Sequence, residues 1–180
     1  GRRQVSDLVT RAADFARKAH DGQTRAYSNA PYFTHPERVA KRVAAMGEGP
    51  AMVAAAYLHD VVEDCGVDID EINETFGFGV SRIVDCLTVR KIPGAPRDEQ
   101  KRADRRKLVE AMPCAQRLKL VDRLDNLTEL RQDMKHSAKA REFAPTYCRE
   151  SVALLTAIGS AHEGLSWEIV EVVSSILSAD

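Results

Sequence analysis

A compact, single-domain, all-α fold is the expectation for this chain, and three features carry it. Apolar residues recur at helical spacing in segment after segment. Gly, Pro, Ser and Asn punctuate the gaps between those segments. Val, Ile and Tyr never fall into the alternating runs that mark strands. The 180 residues fit one domain, taken as 1–180, long enough to bury a full hydrophobic core.

From Ser6, the residues Leu8, Ala12, Phe15, Ala16 and Ala19 repeat on one face and predict a first amphipathic helix. Asp21 to Phe33 is a loop, broken by Gly22, Ser28, Asn29 and Pro31. Thr34-His35-Pro36-Glu37 reads as a helix start, with threonine at the N-cap, proline just inside and glutamate three residues on. That helix runs to about Met46. Gly49-Pro50 opens the next one, whose apolar stretch carries into His59-Asp60. Asp68-Ile69-Asp70-Glu71 is a capping box before a short helix that stops at Gly77, and Val80, Ile83, Val84 and Leu87 mark another. Ile92 to Pro96 is a loop. Arg97 to Lys107 leads into a helix ending near Met112-Pro113. Long helices follow from about Ala115 to Met134 and from Ala138 to Ile158, with a last one from Ser166 to Leu177.

Bulk composition narrows the function classes. Hydrophobic residues at 44% and charged residues at 29% describe an ordinary globular protein. A formal net charge of -1 argues against a nucleic-acid binder that relies on bulk electrostatics. Cys65, Cys86, Cys114 and Cys148 are scattered, unlike a zinc motif or a disulfide framework, which favours a reducing compartment. No apolar run approaches membrane-spanning length, and Gly1-Arg2-Arg3-Gln4 lacks a signal-peptide core. The expectation is a cytoplasmic protein with no membrane partner; nothing fixes its oligomeric state.

The chemistry concentrates in a few residues. Leu58-His59-Asp60-Val61-Val62-Glu63-Asp64 sets a histidine and three carboxylates at the end of the apolar stretch Ala51 to Leu58. A core helix gains nothing structurally from that much charge, because unpaired buried carboxylates are costly. With His35 and Asp122, the pair His59-Asp60 forms a candidate ligand set for a divalent cation that activates water. Mixed nitrogen and oxygen donors without thiolates suit manganese, iron or zinc better than calcium. Glu63, Asp64 and Asn126 would then lie one helical turn away, suited to a general base and a positioning amide.

Each residue has a plainer reading. His35 before Pro36 also fits a helix cap, His59-Asp60 a polar helix end, and Asp122-Arg123 an exposed ion pair. Their conjunction favours the metal. His20, His136 and His162 lack such company and read as surface or packing histidines. Arg25 fits a bidentate phosphate contact as well as it fits a solvated loop. Tyr147 fits base stacking or, better, burial in the core. Lys91, Arg97, Lys101, Arg102, Arg105 and Arg106 read first as a charged helix face and second as a rim attracting polyanionic substrate.

An ordered series of motifs resembles a known family. Ala19-His20-Asp21-Gly22-Gln23-Thr24-Arg25, Pro31-Tyr32-Phe33-Thr34-His35-Pro36, Leu58 to Asp64, and Lys119-Leu120-Val121-Asp122-Arg123-Leu124-Asp125-Asn126-Leu127 are similar to the HD-domain hydrolases of the RelA/SpoT group. Phe76-Gly77, Val80 and Leu87-Thr88 match in order, and the likeness runs from Leu8 to Leu155. At this length the chain looks like the stand-alone small alarmone hydrolases. The resemblance implies a helical HD-domain fold and one Mn²⁺, with Fe²⁺ or Zn²⁺ as alternatives, held by His35, His59, Asp60 and Asp122. It implies hydrolysis of the 3′-pyrophosphate of guanosine tetra- or pentaphosphate, giving GDP or GTP and pyrophosphate. Glu63 and Asp64 would act on the attacking water and Asn126 would position water or nucleotide.

The chain departs from the family pattern around the nucleotide. Arg25 is followed by Ala26-Tyr27 where many relatives carry lysine, Thr128-Glu129 replaces an Arg-Thr step, and Asp125 stands where histidine or tyrosine is frequent. The same site could therefore serve another nucleotide, such as the 2′-phosphate of NADPH. A helical module that senses a nucleotide without turnover is the remaining alternative.

Overall fold

The structure, a computed structural model, describes residues 2–179, with side chains from residue 7 onward. Helices dominate it, and among the described residues the one β-type pairing is an isolated antiparallel bridge between Thr24 and Pro31. The all-α expectation holds. The helices gather in two compact units: residues up to 25 together with 30–90, and residues 26–29 together with those from 91 on.

The first unit contains α1 (Arg2–Ala19), α2 (Thr34–Ala45), α3 (Pro50–Leu58), α4 (Val61–Cys65), α5 (Ile69–Phe76) and α6 (Phe78–Leu87). The helix α1 begins at Arg2, ahead of the expected Ser6. At the centre is α3, which packs against α1, α2 and α6. It is apolar all round, with Met52, Val53, Ala54, Ala55, Ala56 and Leu58 buried, as a helix enclosed by others must be. Its alanines let neighbours come close, and Ala12, Ala16, Val39, Ala40, Val43 and Val84 close the core around them.

Two local details differ from expectation. The apolar stretch does not continue as one helix through His59-Asp60: α3 ends at Leu58, α4 starts at Val61, and the pair forms the turn between them. Asp60 sits at φ -102° and ψ -9°, the wider conformation of such a turn. Thr34 also does not cap forward. It is the first residue of α2, and its hydroxyl donates back to the Pro31 carbonyl at 2.8 Å. Asp68 caps α5 as expected, accepting from the Asp70 N–H at 2.9 Å.

The second unit contains α7 (Arg97–Val109), α8 (Pro113–Asp133), α9 (Ala138–Ile158), a short 3-10 turn (Gly159–Ala161) and α10 (Glu163–Leu177). Its core forms where α8, α9 and α10 meet, built on Leu118, Leu120, Leu127, Leu154, Ile158, Leu165 and Ile169. By contrast, α7 buries Leu108 but is otherwise strongly charged, and polar contacts tie it to α9. Arg97 makes a two-pronged pair with Glu150 at 2.6 and 3.1 Å, and its guanidinium lies 5.2 Å from the Phe143 ring centre. Arg102 pairs with Asp98 at 2.7 Å. The predicted basic cluster is thus interleaved with carboxylates. Pro145 lies inside α9. His162 caps α10, accepting from the Leu165 N–H at 3.1 Å. No helix among the described residues is long and apolar enough to cross a membrane.

Candidate metal centre

Three of the predicted ligands converge in the first unit. His35 lies in the first turn of α2 and is wholly buried; His59 closes α3 and is 2% exposed. The His59 Nδ1 is 2.7 Å from the Ala56 carbonyl, which can only accept, so Nδ1 carries the proton and Nε2 of the neutral ring presents a lone pair. Asp60 Oδ2 lies 3.2 Å from His59 Nε2 and 3.7 Å from His35 Nε2. One donor atom from each of these three residues lies within 4.8 Å of the others. Two imidazole nitrogens and a carboxylate oxygen brought this close together suit a divalent metal of the manganese, iron or zinc kind. The donor set fits such an ion.

The turn at His59-Asp60 explains the convergence. A continuous helix would put these neighbours about 100° apart around its axis. Ending α3 at Leu58 lets both side chains reach the same point, with His35 delivered from α2 against α3.

A tyrosine that the sequence reading did not select stands beside the cluster. The Tyr32 hydroxyl lies 2.8 Å from Asp60 Oδ2 and 2.9 Å from Asp64 Oδ2. Burial and then the two carboxylates push its pKa far up, so the phenol keeps its proton. The Asp64 carboxyl is also raised, by burial first and Asp60 second, while the Tyr32 bond and the His20 and His59 rings oppose the rise. Asp64 remains open to solvent. Glu63 is placed differently: its Oε2 accepts from the Val89 N–H at 3.2 Å, just beyond α6.

His20, read from the sequence as a surface or packing residue, is 2% exposed and stacks on Tyr32 with ring centres 4.5 Å apart. Its Nδ1 meets Gln23 Oε1 at 2.8 Å and Cys65 Sγ at 3.3 Å. The Arg25 guanidinium lies 5.0 Å from the centre of the same Tyr32 ring. The one available signal for Tyr32 was its spacing, one turn ahead of His35, and an aromatic after proline in a loop has many other uses.

In the second unit, Asp122 is 5% exposed in the middle of α8. Its Oδ2 pairs with Lys119 Nζ at 2.7 Å, and its Oδ1 accepts from Asn126 Nδ2 at 2.7 Å. Residues three and four apart on the helix thus hold both oxygens. Burial works against the Lys119 charge, but Asp122 outweighs it and the pKa lies above the usual lysine value. Lys119 was not selected from the sequence either. Arg123, also buried, lies over the half-buried Tyr147 ring at 4.2 Å and donates to Ser151 Oγ at 3.2 Å.

A helical chain whose two buried histidines and half-buried aspartate meet at a helix break fits a class of helical metal-site domains. The family model described as "HD domain" matches residues 12–149, and the chain belongs to that family. Among curated proteins it is 40% identical over 139 residues to the guanosine-3′,5′-bis(diphosphate) 3′-pyrophosphohydrolase of Vibrio cholerae, covering 73% of this chain and 19% of that protein. It is 34% identical over 175 residues to the GTP pyrophosphokinase of Streptomyces coelicolor, covering 94% of this chain and 20% of that protein. The chain therefore spans about a fifth of the length of these relatives. In fold it is similar to a solved structure described as a metazoan ortholog of SpoT that hydrolyzes ppGpp. The TM-score is 0.82 at 22% identity, over 93% of this chain and 94% of that one.

Proposed function

We propose that this chain is a metal-dependent phosphohydrolase that removes the 3′-diphosphate of guanosine tetra- or pentaphosphate as pyrophosphate. The observation that carries the reading is the His35–His59–Asp60 donor set, its two histidines buried, with Asp64 one hydroxyl away. Its substrate side is supported by the 40% identity to a protein named for that reaction. In this reading Asp122 completes the ligand set with the other three, supported by its burial and by its motif within the family match. The ion is Mn²⁺, with Fe²⁺ or Zn²⁺ as alternatives. When bound it supplies Lewis acidity toward a phosphoryl oxygen and lowers the pKa of water.

The remaining steps belong to the chain. Asp64, solvent-accessible beside the cluster, or Glu63 takes a proton from water as its oxygen bonds to the phosphorus attached to O3′. The P–O3′ bond breaks, pyrophosphate departs carrying the water oxygen, and the 3′ oxygen stays with the nucleotide, taking a proton back from the carboxyl or from solvent. Asn126 positions water or nucleotide, Arg25 meets a phosphate, and Tyr147 borders the substrate. We infer also that residues 1–180 act as one HD-type domain, because the family match runs through both compact units. The four free thiols suit a cytoplasmic setting.

The test is a product assay on Mn²⁺-loaded protein, with guanosine tetraphosphate and NADPH offered in parallel. Pyrophosphate from the alarmone supports the reading. Orthophosphate from NADPH moves the substrate while keeping the site, and silence on both with metal bound favours a nucleotide-sensing module.

A further inference from the structure

Asp60 and Asp64 reach for the same proton. They are the first and last residues of one short turn, and both direct Oδ2 at the Tyr32 hydroxyl. The oxygen of Asp60 that takes this contact is the one that faces both histidines. A carboxylate oxygen has two lone-pair directions, so a phenol on one fixes the direction of the other. Outer partners of this kind orient a ligand and tune its donor strength.

Tyr32 is itself held from several sides. Its N–H donates to the Gln23 carbonyl at 2.9 Å, one rung from the Thr24–Pro31 bridge, and its carbonyl accepts from the His35 N–H at 3.0 Å. The ring stacks on His20 and meets the His35 ring edge-on at 6.2 Å. The backbone that delivers His35 to the cluster thus also delivers the hydroxyl. Glu63, by contrast, is tied to the Val89 N–H, away from this hydroxyl.

We propose that Tyr32 is a positioning residue of this site: its hydroxyl, shared by Asp60 and Asp64, fixes the ligand direction of Asp60 and holds Asp64 as the carboxylate beside the attacking water. The inference rests on the hydrolase reading above for its catalytic half and on the donor set alone for its metal half. It assigns the base role to Asp64 rather than Glu63.

Two readouts test it, using Tyr32→Phe, Asp64→Asn, the double variant and a Tyr57→Phe control. Tyr57 is half-buried on α3, stacked on Phe33 at 6.0 Å and outside the cluster. First, Co²⁺ titration followed by its visible absorption should show Tyr32→Phe binding about 10-fold or more weakly, with a shifted spectrum, and Tyr57→Phe unchanged. Second, Tyr32→Phe should lower kcat about 10–100-fold with KM within about twofold. Asp64→Asn should lose about 10²–10⁴-fold, and the double variant should lose less than the product of the two single losses. Co²⁺ affinity and spectrum unchanged in Tyr32→Phe overturn the proposal, as do losses that multiply in the double variant. If the unmodified protein turns over no nucleotide, the hydrolase reading fails, and the Co²⁺ titration still decides the role of Tyr32.

Discussion

Asp60 Oδ2 faces two imidazoles and a phenol, so a change at this one carboxylate reaches the whole cluster. Asp60→Ala should lose metal uptake, measured by metal analysis of the purified protein, and with it all turnover. Retained metal and full activity would sink the ligand assignment. Glu63→Gln should keep the metal and lose less than tenfold in kcat, because the base role is assigned to Asp64 while one Glu63 oxygen accepts from the Val89 N–H. A loss of 10²–10⁴-fold there would return the base role to Glu63. The clustering of His35, His59 and Asp60 was legible because histidine and aspartate beside an apolar stretch have few structural uses. Tyr32, His20 and Lys119 were not. Tyr32 meets Asp60 and Asp64 only after the chain closes separations of 28 and 32 residues, and no local pattern marks such a meeting. Lys119 sat in plain view three residues from Asp122, but a lysine near an aspartate on a helix usually reads as a solvated pair.

At the scale of the element, helical periodicity found nearly every helix, because amphipathic spacing reports burial directly. It failed where burial is complete. The run Ala51 to Leu58 has no polar face to set its helical register, and the break at His59-Asp60 stayed hidden. The helix expected from Ala138 to Ile158 does run through Pro145, whose missing N–H leaves the Arg141 carbonyl without its usual helical donor. Pro145 is exposed, so Pro145→Ala should raise stability by about 1–3 kcal/mol in urea melts. A neutral or destabilising result would mean that the helix is built around the proline. Within α7, burial lowers the Lys101 pKa, helped by Lys119, Arg123 and Arg97 and opposed by Asp104. The charged form therefore costs the folded state stability below its pKa. As pH rises through that depressed pKa toward the ordinary lysine range near ~10.4, the unfolded chain holds more protons and stability increases. Lys101→Met should be more stable than the unmodified protein at neutral pH, with the gap closing as pH rises. A constant gap would show that Lys101 is not destabilised by its neighbours.

For the molecule as a whole, a metal that binds the folded donor set stabilises it by mass action. Mn²⁺ at about a hundredfold excess over its Kd should add about 2.7 kcal/mol, or roughly 5–10 °C in Tm for a chain of this size. Asp60→Ala should show no such rise, and an equal rise in both would place the ion elsewhere. Family membership was legible from the order of four motifs, since spacing along a chain survives when surface residues drift. The division into two compact units was not, because no linker composition separates Arg90 from Lys91.

The buried alanines of α3 have a genetic consequence. Ala54, Ala55 and Ala56 have no exposed surface, and the next turn of chain delivers His59 and Asp60. A larger side chain there must push the helix, and the helix carries His59 and Asp60 with it. In a random mutagenesis screen for lost activity, inactivating alleles should accumulate at these three small residues, none of which offers the ion a donor atom.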